Sequence, residues 1–297
     1  MNSSIIRFVL GYVLKVEAAL MLLPCIVAVL YQERTGFAYL LVAAIAMTLG
    51  TLMTIRRPKN HVFYLKEGCV ATALSWIFLS FFGALPFWIS GEIPSLIDAL
   101  FETVSGFTTT GSSILSDVEA LSHCALFWRS FTHWIGGMGV LVFLLAVIPL
   151  SGGSHINLMR AESPGPSVGK LVPKIKYTAQ ILYVIYLGMT VVEIILLLIS
   201  RMPVFDAITL SFGTAGTGGF AIWNDGFVSV SPYNQWVVTI FMLLFGVNFG
   251  FYFLILTGKL RDALKFEEVR IYFIIVIAAA VFIFINLRHF ALYAPAE

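Results

Sequence analysis

Long apolar runs separated by short polar segments dominate the chain. A helix that crosses a bilayer needs about 20 mostly apolar residues, and seven runs reach that length: residues 5–31, 37–55, 68–90, 124–150, 178–200, 233–257 and 271–291. Two further apolar stretches, one after Asp98 and one after Asp206, last only about nine or ten residues before glycine and threonine take over. This pattern predicts an all-α polytopic membrane protein built from helix / re-entrant pore loop / helix repeats. The first run is longer than the roughly 7–15 residues of a signal-peptide core and carries no small-residue cleavage site, so it reads as a spanning helix.

The two half-length stretches align with one another. "DALFETVSGFTTTGSS" from Asp98 and "DAITLSFGTAGTGGFA" from Asp206 keep a constant offset (206 − 98 = 108), which pairs Thr109 with Thr217 and Gly111 with Gly219. Each copy lies between two spanning runs, the signature of a duplicated unit. Non-helical backbone at membrane depth is tolerated only where it is covered by protein or faces a water-filled cavity. Thr108, Thr109, Thr110 and Gly111 in the first copy, and Gly216, Thr217, Gly218 and Gly219 in the second, can therefore offer oxygen dipoles in place of the hydration shell of a monovalent cation. Thr109, Thr110, Thr217 and Gly218 are the expected contacts of the ion. Taken singly, "TTTG" and "GTGG" also read as ordinary extracellular turns; two copies in register favour the ion path.

Composition and charge narrow the class. Hydrophobic residues make up 59% of the 297 positions and charged residues 11%, against roughly 25% charged in soluble domains; the mean hydropathy is +0.94. A net charge of +2 gives no footprint for nucleic acid. Three cysteines, Cys25, Cys69 and Cys124, lie far apart in or beside apolar runs, which fits neither a disulfide framework nor a zinc site. Basic residues cluster in "RRPKNHVFYLK", in the loop after Pro149 and in "GKLRDALKFEEVR", whereas Gly91 to His123 holds five acidic residues and no lysine or arginine. The positive-inside rule then threads the chain with its N-terminus in the cytoplasm, and the acidic outer segment attracts cations to the mouth.

Arg129, Ser130 and His133 lie in the outer part of the fourth run, where an ionisable residue is a functional hypothesis by default. One reading is structural: Arg129 reaches outward to a pore-loop carboxylate, Glu102 first and Asp117 second, and His133 packs against the half-helix. The other is an intramembrane hydrolase using His133, which would need an orienting third group and an oxyanion site. No such constellation is recognisable in the sequence. "IGGMG", Ile135 to Gly139, places glycines where a neighbouring half-helix can approach closely, or where the helix hinges.

At these residues the chain resembles the Trk/Ktr/HKT superfamily of potassium transporters, and within it the bacterial TrkH/TrkG branch. The resemblance rests on "TTTGSS" at Thr108 to Ser113, "FWRSFTHWIGGMGVLVFLLAVIP" at Phe127 to Pro149, "TGGF" at Thr217 to Phe220 and "GVNF" at Gly246 to Phe249. It implies potassium uptake across a bacterial cytoplasmic membrane through a pore of four non-identical repeats, with potassium as substrate and no bound cofactor. It also implies a homodimer and a cytosolic nucleotide-binding TrkA-type regulatory subunit, and it attaches potassium selectivity to Gly111. The chain carries two of the four repeats, so the resemblance implies a partial copy; a non-conducting scaffold or assembly fragment is the alternative. The expected parts are two N-terminal helices (1–67), a first pore repeat (68–150), a cytoplasmic loop (151–177), a second pore repeat (178–257), and a linker with the first helix of a third repeat (258–297).

Overall fold

The computed structural model describes residues 2–58, 65–139 and 175–293, which are helices and connecting turns with no strand among them. The chain divides into two compact units, Met1–Phe245 and Gly246–Glu297. Among the described residues, five helices are long and apolar enough to cross a membrane: Ser3–Leu30, Gly36–Ile55, Lys66–Ser90, Ala179–Ile199 and Glu267–Arg288. The protein is a multi-pass membrane protein of the all-α class. The fourth apolar run beyond Gly139, the loop expected on the cytoplasmic side as far as residue 174, and residues 59–64 of the first basic segment lie outside the described residues.

In the first unit, α1 (Ser3–Leu20) and α2 (Leu22–Leu30) form one span interrupted at Met21. The interruption has a local cause, because Pro24 has no amide hydrogen to donate to the Leu20 carbonyl. α1 crosses α3 (Gly36–Ile55) where two glycines meet: a Cβ on Gly50 would lie 2.6 Å from the Gly11 carbonyl oxygen, and one on Gly11 would lie 2.9 Å from that of Gly50. Small residues at such a crossing let two backbones approach within a membrane. Lys15 Nζ ends beside the same crossing, donating to Thr54 Oγ1 at 2.6 Å.

The two copies of the repeat are built on α4 (Leu65–Ser90), α5 (Leu96–Phe107) and α6 (His123–Met138), then α7 (Ile175–Ile199), α8 (Val204–Ala215) and α9 (Pro232–Phe245). α5 and α8 have 12 residues each, roughly 18 Å at 1.5 Å per residue, well short of the ~30 Å hydrocarbon core. Each carries an aspartate in its first turn, Asp98 and Asp206, where the helix dipole favours negative charge. Behind α5 a buried aromatic cluster of Tyr39, Phe87, Phe107 and Trp128 meets edge to face. Trp128 satisfies its indole N–H on the Gly83 carbonyl at 3.0 Å, as a buried tryptophan must.

The N-terminal end of α6 is held by carboxylates from distant parts of the chain. Glu33 accepts the amides of His123 at 2.8 Å and Cys124 at 2.9 Å, while Glu92 accepts the amide of Ser122 at 2.9 Å. Amides at a helix start have no intrahelical partner, so these two acids position α6 against α2, α3 and α4. Both acids are thus engaged in capping the start of α6.

One predicted span is not continuous. The run 233–257 stops as helix at Phe245 and restarts as α10 (Phe249–Leu256), whose first turn is capped by Asn248 Oδ1 accepting from Gly250 N at 2.8 Å. Glycine and asparagine are poor helix formers, and asparagine competes with the backbone for its hydrogen bonds, so "GVNF" marks a helix break inside an apolar run. The second unit contains α10, a short α11 (Leu260–Leu264) and α12 (Glu267–Tyr293), with Asn248 Nδ2 donating to Glu268 Oε2 at 3.2 Å.

The glycine crossing of α1 and α3 is testable. Gly50→Val should destabilise the detergent-solubilised protein by roughly 1–3 kcal/mol, the usual cost of overpacking, read as a lower thermal unfolding temperature. An unchanged midpoint would mean that the two helices do not approach as described.

Candidate functional site

Both half-helices end in the same unusual way. Thr109 and Thr217 have φ of +55° and +56°, and Gly111 and Gly219 have φ of +78° and +80°. The 108-residue repeat therefore holds in backbone conformation as well as in sequence. Glycine reaches this region freely, but a β-branched residue there is a steric outlier. Such strain persists only where the surroundings over-determine it. In the first copy the turn is closed by Thr109 N donating to Gly106 O at 3.0 Å and Thr110 N to Ser105 O at 2.9 Å, the bond pattern that ends many helices with a left-handed residue.

The two loops meet although 108 positions separate them. A Cβ on Gly111 would overlap the carbonyl oxygen of Gly218 and lie 2.7 Å from its carbonyl carbon; a Cβ on Gly218 would lie 2.9 Å from the carbonyl oxygen of Thr109. Thr108, Thr110, Thr217 and Gly219 are exposed, Thr109, Gly111 and Gly218 are half-buried, and Gly216 is buried at the end of α8. The hydroxyls of Thr108 and Thr110 lie 2.8 Å apart, and Thr108 gives its proton to the Val104 carbonyl at 2.7 Å. Thr110 is then the donor of the pair, which leaves oxygen lone pairs as what these two hydroxyls can offer outward.

α6 stands behind both loops. A Cβ on Gly136 would overlap the Phe107 carbonyl and lie 3.1 Å from Thr109 Cγ2; one on Gly137 would lie 2.9 Å from Gly216 Cα and 3.0 Å from Ala215 O. Successive helix positions point about 100° apart, so two adjacent glycines let one helix press against the ends of both half-helices. His133 lies on the second loop, where its ring blocks the space beside Gly218 and meets Phe220 edge to face at 3.9 Å. The sequence-based expectation that His133 packs against the half-helix is thus refined: its contacts are with the loop beyond α8. Both its ring nitrogens are buried without a hydrogen-bond partner among the described residues.

Arg129 joins the two copies. Its Nε donates to Glu102 Oε1 at 2.6 Å, its Nη1 donates to the Ala221 carbonyl at 2.8 Å, and its guanidinium lies 3.6 Å from the Phe220 ring centroid. The pair is buried, with side-chain exposures of 3% and 0%. Glu102 also accepts from Ser113 Oγ at 2.9 Å and from Ile114 N at 3.0 Å. One carboxylate and one guanidinium therefore connect the first half-helix, the segment after the first loop, α6 and the segment after the second loop.

Asp117, the second candidate partner of Arg129, is engaged elsewhere. Its Oδ1 accepts from Asn224 Nδ2 at 2.8 Å, Asn224 Oδ1 accepts from Val118 N at 2.7 Å, and Asn224 N donates to Glu119 at 3.0 Å. This staple ties the segments that follow the two loops together, and nothing in the repeat alignment pointed to Asn224. The Asn224 amide holds the exposed Asp117 carboxyl below the usual carboxylate range, with the amides of Ala120 and Glu119 adding to it.

Comparison with known proteins gives this arrangement its family. The family model TrkH, described as a cation transport protein, matches residues 35–292. The chain belongs to the TrkH family. Among TrkH-family relatives, the Trk system potassium uptake protein TrkH of Salmonella typhimurium is 37% identical over 266 residues, 87% of this chain and 54% of that protein. TrkG of Escherichia coli is 30% identical over 304 residues, 99% of this chain and 62% of that protein. The crystal structure of the potassium transporter TrkH from Vibrio parahaemolyticus matches with a TM-score of 0.84 at 28% identity, covering 99% of this chain and 61% of that one. The chain spans about half the length of the curated TrkH relatives it matches. The TrkH family is one of cation transport proteins and not of enzymes, which sets aside the hydrolase reading of Ser130 and His133.

Two predictions arise from these contacts. Arg129→Ala leaves Glu102 as a buried unpaired charge and should cost about 3–5 kcal/mol. Arg129→Lys should rescue little, because lysine lacks the fork that reaches Glu102 and Ala221 together. The double variant with Glu102→Ala should be less damaged than Arg129→Ala alone, measured by unfolding of the solubilised protein; equal or greater damage would contradict the pairing. The Asn224 staple has a pH sign. A depressed carboxyl adds stability above its ordinary range and loses it as pH falls through the lowered value, so the difference in unfolding temperature between wild type and Asn224→Ala should be present at neutral pH and shrink below about pH 4. A difference that grows in acid would be the wrong sign.

Proposed function

We propose that the chain forms two of the four quarters of a potassium-conducting pore in a Trk-type uptake system. The observation that carries this reading is the matched pair of left-handed residues, Thr109 with Gly111 and Thr217 with Gly219, at the ends of two half-helices that meet. Thr109, Thr110, Thr217 and Gly218 then supply carbonyl and hydroxyl oxygens to a potassium ion stripped of water. Thr108, Gly111, Gly216 and Gly219 shape the two turns. Arg129, Glu102 and His133 support the loops from behind. A scaffold without conduction would have no use for threonine in a strained conformation, so the strain favours the pore over that alternative.

The finer features rest on resemblance, on the printed names of relatives and on the charge pattern. The four relatives named TrkH that share 35–37% identity are Trk system potassium uptake proteins, which supports potassium as the substrate. The basic loops support an N-terminus in the cytoplasm. Homodimerisation and docking of a nucleotide-binding TrkA-type subunit on the cytoplasmic face belong to the same reading. So does the division into pore repeats at 68–150 and 178–257.

The test is uptake of potassium or rubidium by cells that lack their own potassium uptake systems and express the protein at its full natural length. Uptake should appear with the wild type, and Gly111→Ser should lower the preference for potassium over sodium by about tenfold or more, the consequence of a filter carbonyl displaced from its place. No uptake by a membrane-inserted wild type would overturn the reading, and an unchanged preference would remove Gly111 from the site.

A further inference from the structure

Gly218 of the second loop is confined from two sides by residues of the first copy. On its carbonyl side stands Gly111, where any Cβ would overlap the Gly218 oxygen; on its Cα side stands the His133 ring, which a Cβ on Gly218 would overlap. His133 cannot yield easily. Its own carbonyl would lie 2.7 Å from a Cβ on Gly216, its ring is wedged at 3.9 Å against Phe220, and Phe220 is held in turn under the Arg129 guanidinium. With both ring nitrogens buried and unpartnered among the described residues, what His133 contributes to this contact is volume.

We infer that His133 is a specificity-determining positioning residue that seats the Gly218 carbonyl against Gly111, so that the first loop's glycine sets selectivity by acting on the second loop's carbonyl. The inference rests on the pore reading for its consequence in selectivity, but the coupling itself is a matter of packing. A side chain at position 111 meets the Gly218 carbonyl directly, and the carbonyl has nowhere to retreat while His133 fills the space behind. Removing the imidazole opens that space. His133→Ala should therefore relieve part of the damage done by Gly111→Ala, because both residues press on Gly218. The remainder is the backbone strain of alanine at positive φ, which no change at 133 can relieve.

The experiment is a double-mutant cycle in the full-length protein with two readouts, thermal unfolding in detergent and the ratio of rubidium to sodium uptake in cells. Residues acting through a shared neighbour are expected to be non-additive. Gly111→Ala should lower the unfolding temperature by about 5 °C or more, and adding His133→Ala should cost less than it does in the wild type. His133→Met, of similar volume and without ring nitrogens, should keep the ion preference within about twofold, whereas His133→Ala should lose about tenfold. The pair Gly218→Ala with His133→Ala is a second cycle across a direct contact and should show the larger rescue. Additive unfolding temperatures in both cycles, or a loss of preference in His133→Met as large as in His133→Ala, would overturn the inference. Coupled unfolding temperatures in a protein that takes up neither ion would overturn the pore reading instead and leave the packing intact.

Discussion

The buried ion pair of Glu102 and Arg129 is the constraint on which the arrangement of the two copies rests. Two charges withdrawn from water are costly, and their attraction compensates only when the remaining donors and acceptors are also satisfied. Several are: Glu102 accepts from Ser113 and Ile114 as well as from Arg129, and Arg129 also donates to Ala221. Because those partners belong to different segments, the pair is satisfied only when both loops, α5 and α6 are in place together. The requirement acts as a positional lock. A half-helix that slid by one turn, about 5.4 Å, would strand a charge at membrane depth.

α6 converts that lock into a wall. Its N-terminal end is fixed by Glu33 and Glu92 through the amides there, and Gly136 and Gly137 let its backbone touch the ends of α5 and α8. A membrane gives helices little hydrophobic reason to associate, so close backbone contact and hydrogen bonds must do that work. The same logic explains why Gly106 of α5 lies where a Cβ would overlap Thr132 Oγ1. Small residues sit on these contacts, so that α6 comes close to the ends of both half-helices.

Much of this was legible in the sequence. The apolar runs and the 108-residue repeat locate the half-helices within two or three residues, because hydropathy and duplication report on membrane depth directly. The partner of Arg129 was legible from the cost of an unpaired charge in the membrane, which demanded a carboxylate nearby. Three features were not. Asn224, in the segment before α9, reveals its role only when the two copies are brought together, since its partners Asp117 and Glu119 lie more than a hundred positions away. Glu33 caps α6 across ninety positions in the same way. The break at Gly246 to Asn248 hides inside an apolar run because hydropathy averages over a window and does not register a cap.

The left-handed threonines follow from the wall behind them. A threonine at positive φ costs of order 1–3 kcal/mol relative to relaxed backbone, and glycine would remove the cost together with the hydroxyl and the stiffness. Held by Gly136 against Thr109 and by Gly137 against Gly216, neither loop can relax without moving α6. Moving α6 disturbs the other loop and the Glu102–Arg129 pair. Strain in one copy is thus resisted by contacts in both, and the two loops share one backing. An oxygen cage formed by such loops would keep its size because relaxation in any one quarter is opposed by its neighbour, and the neighbour's support runs through a single helix.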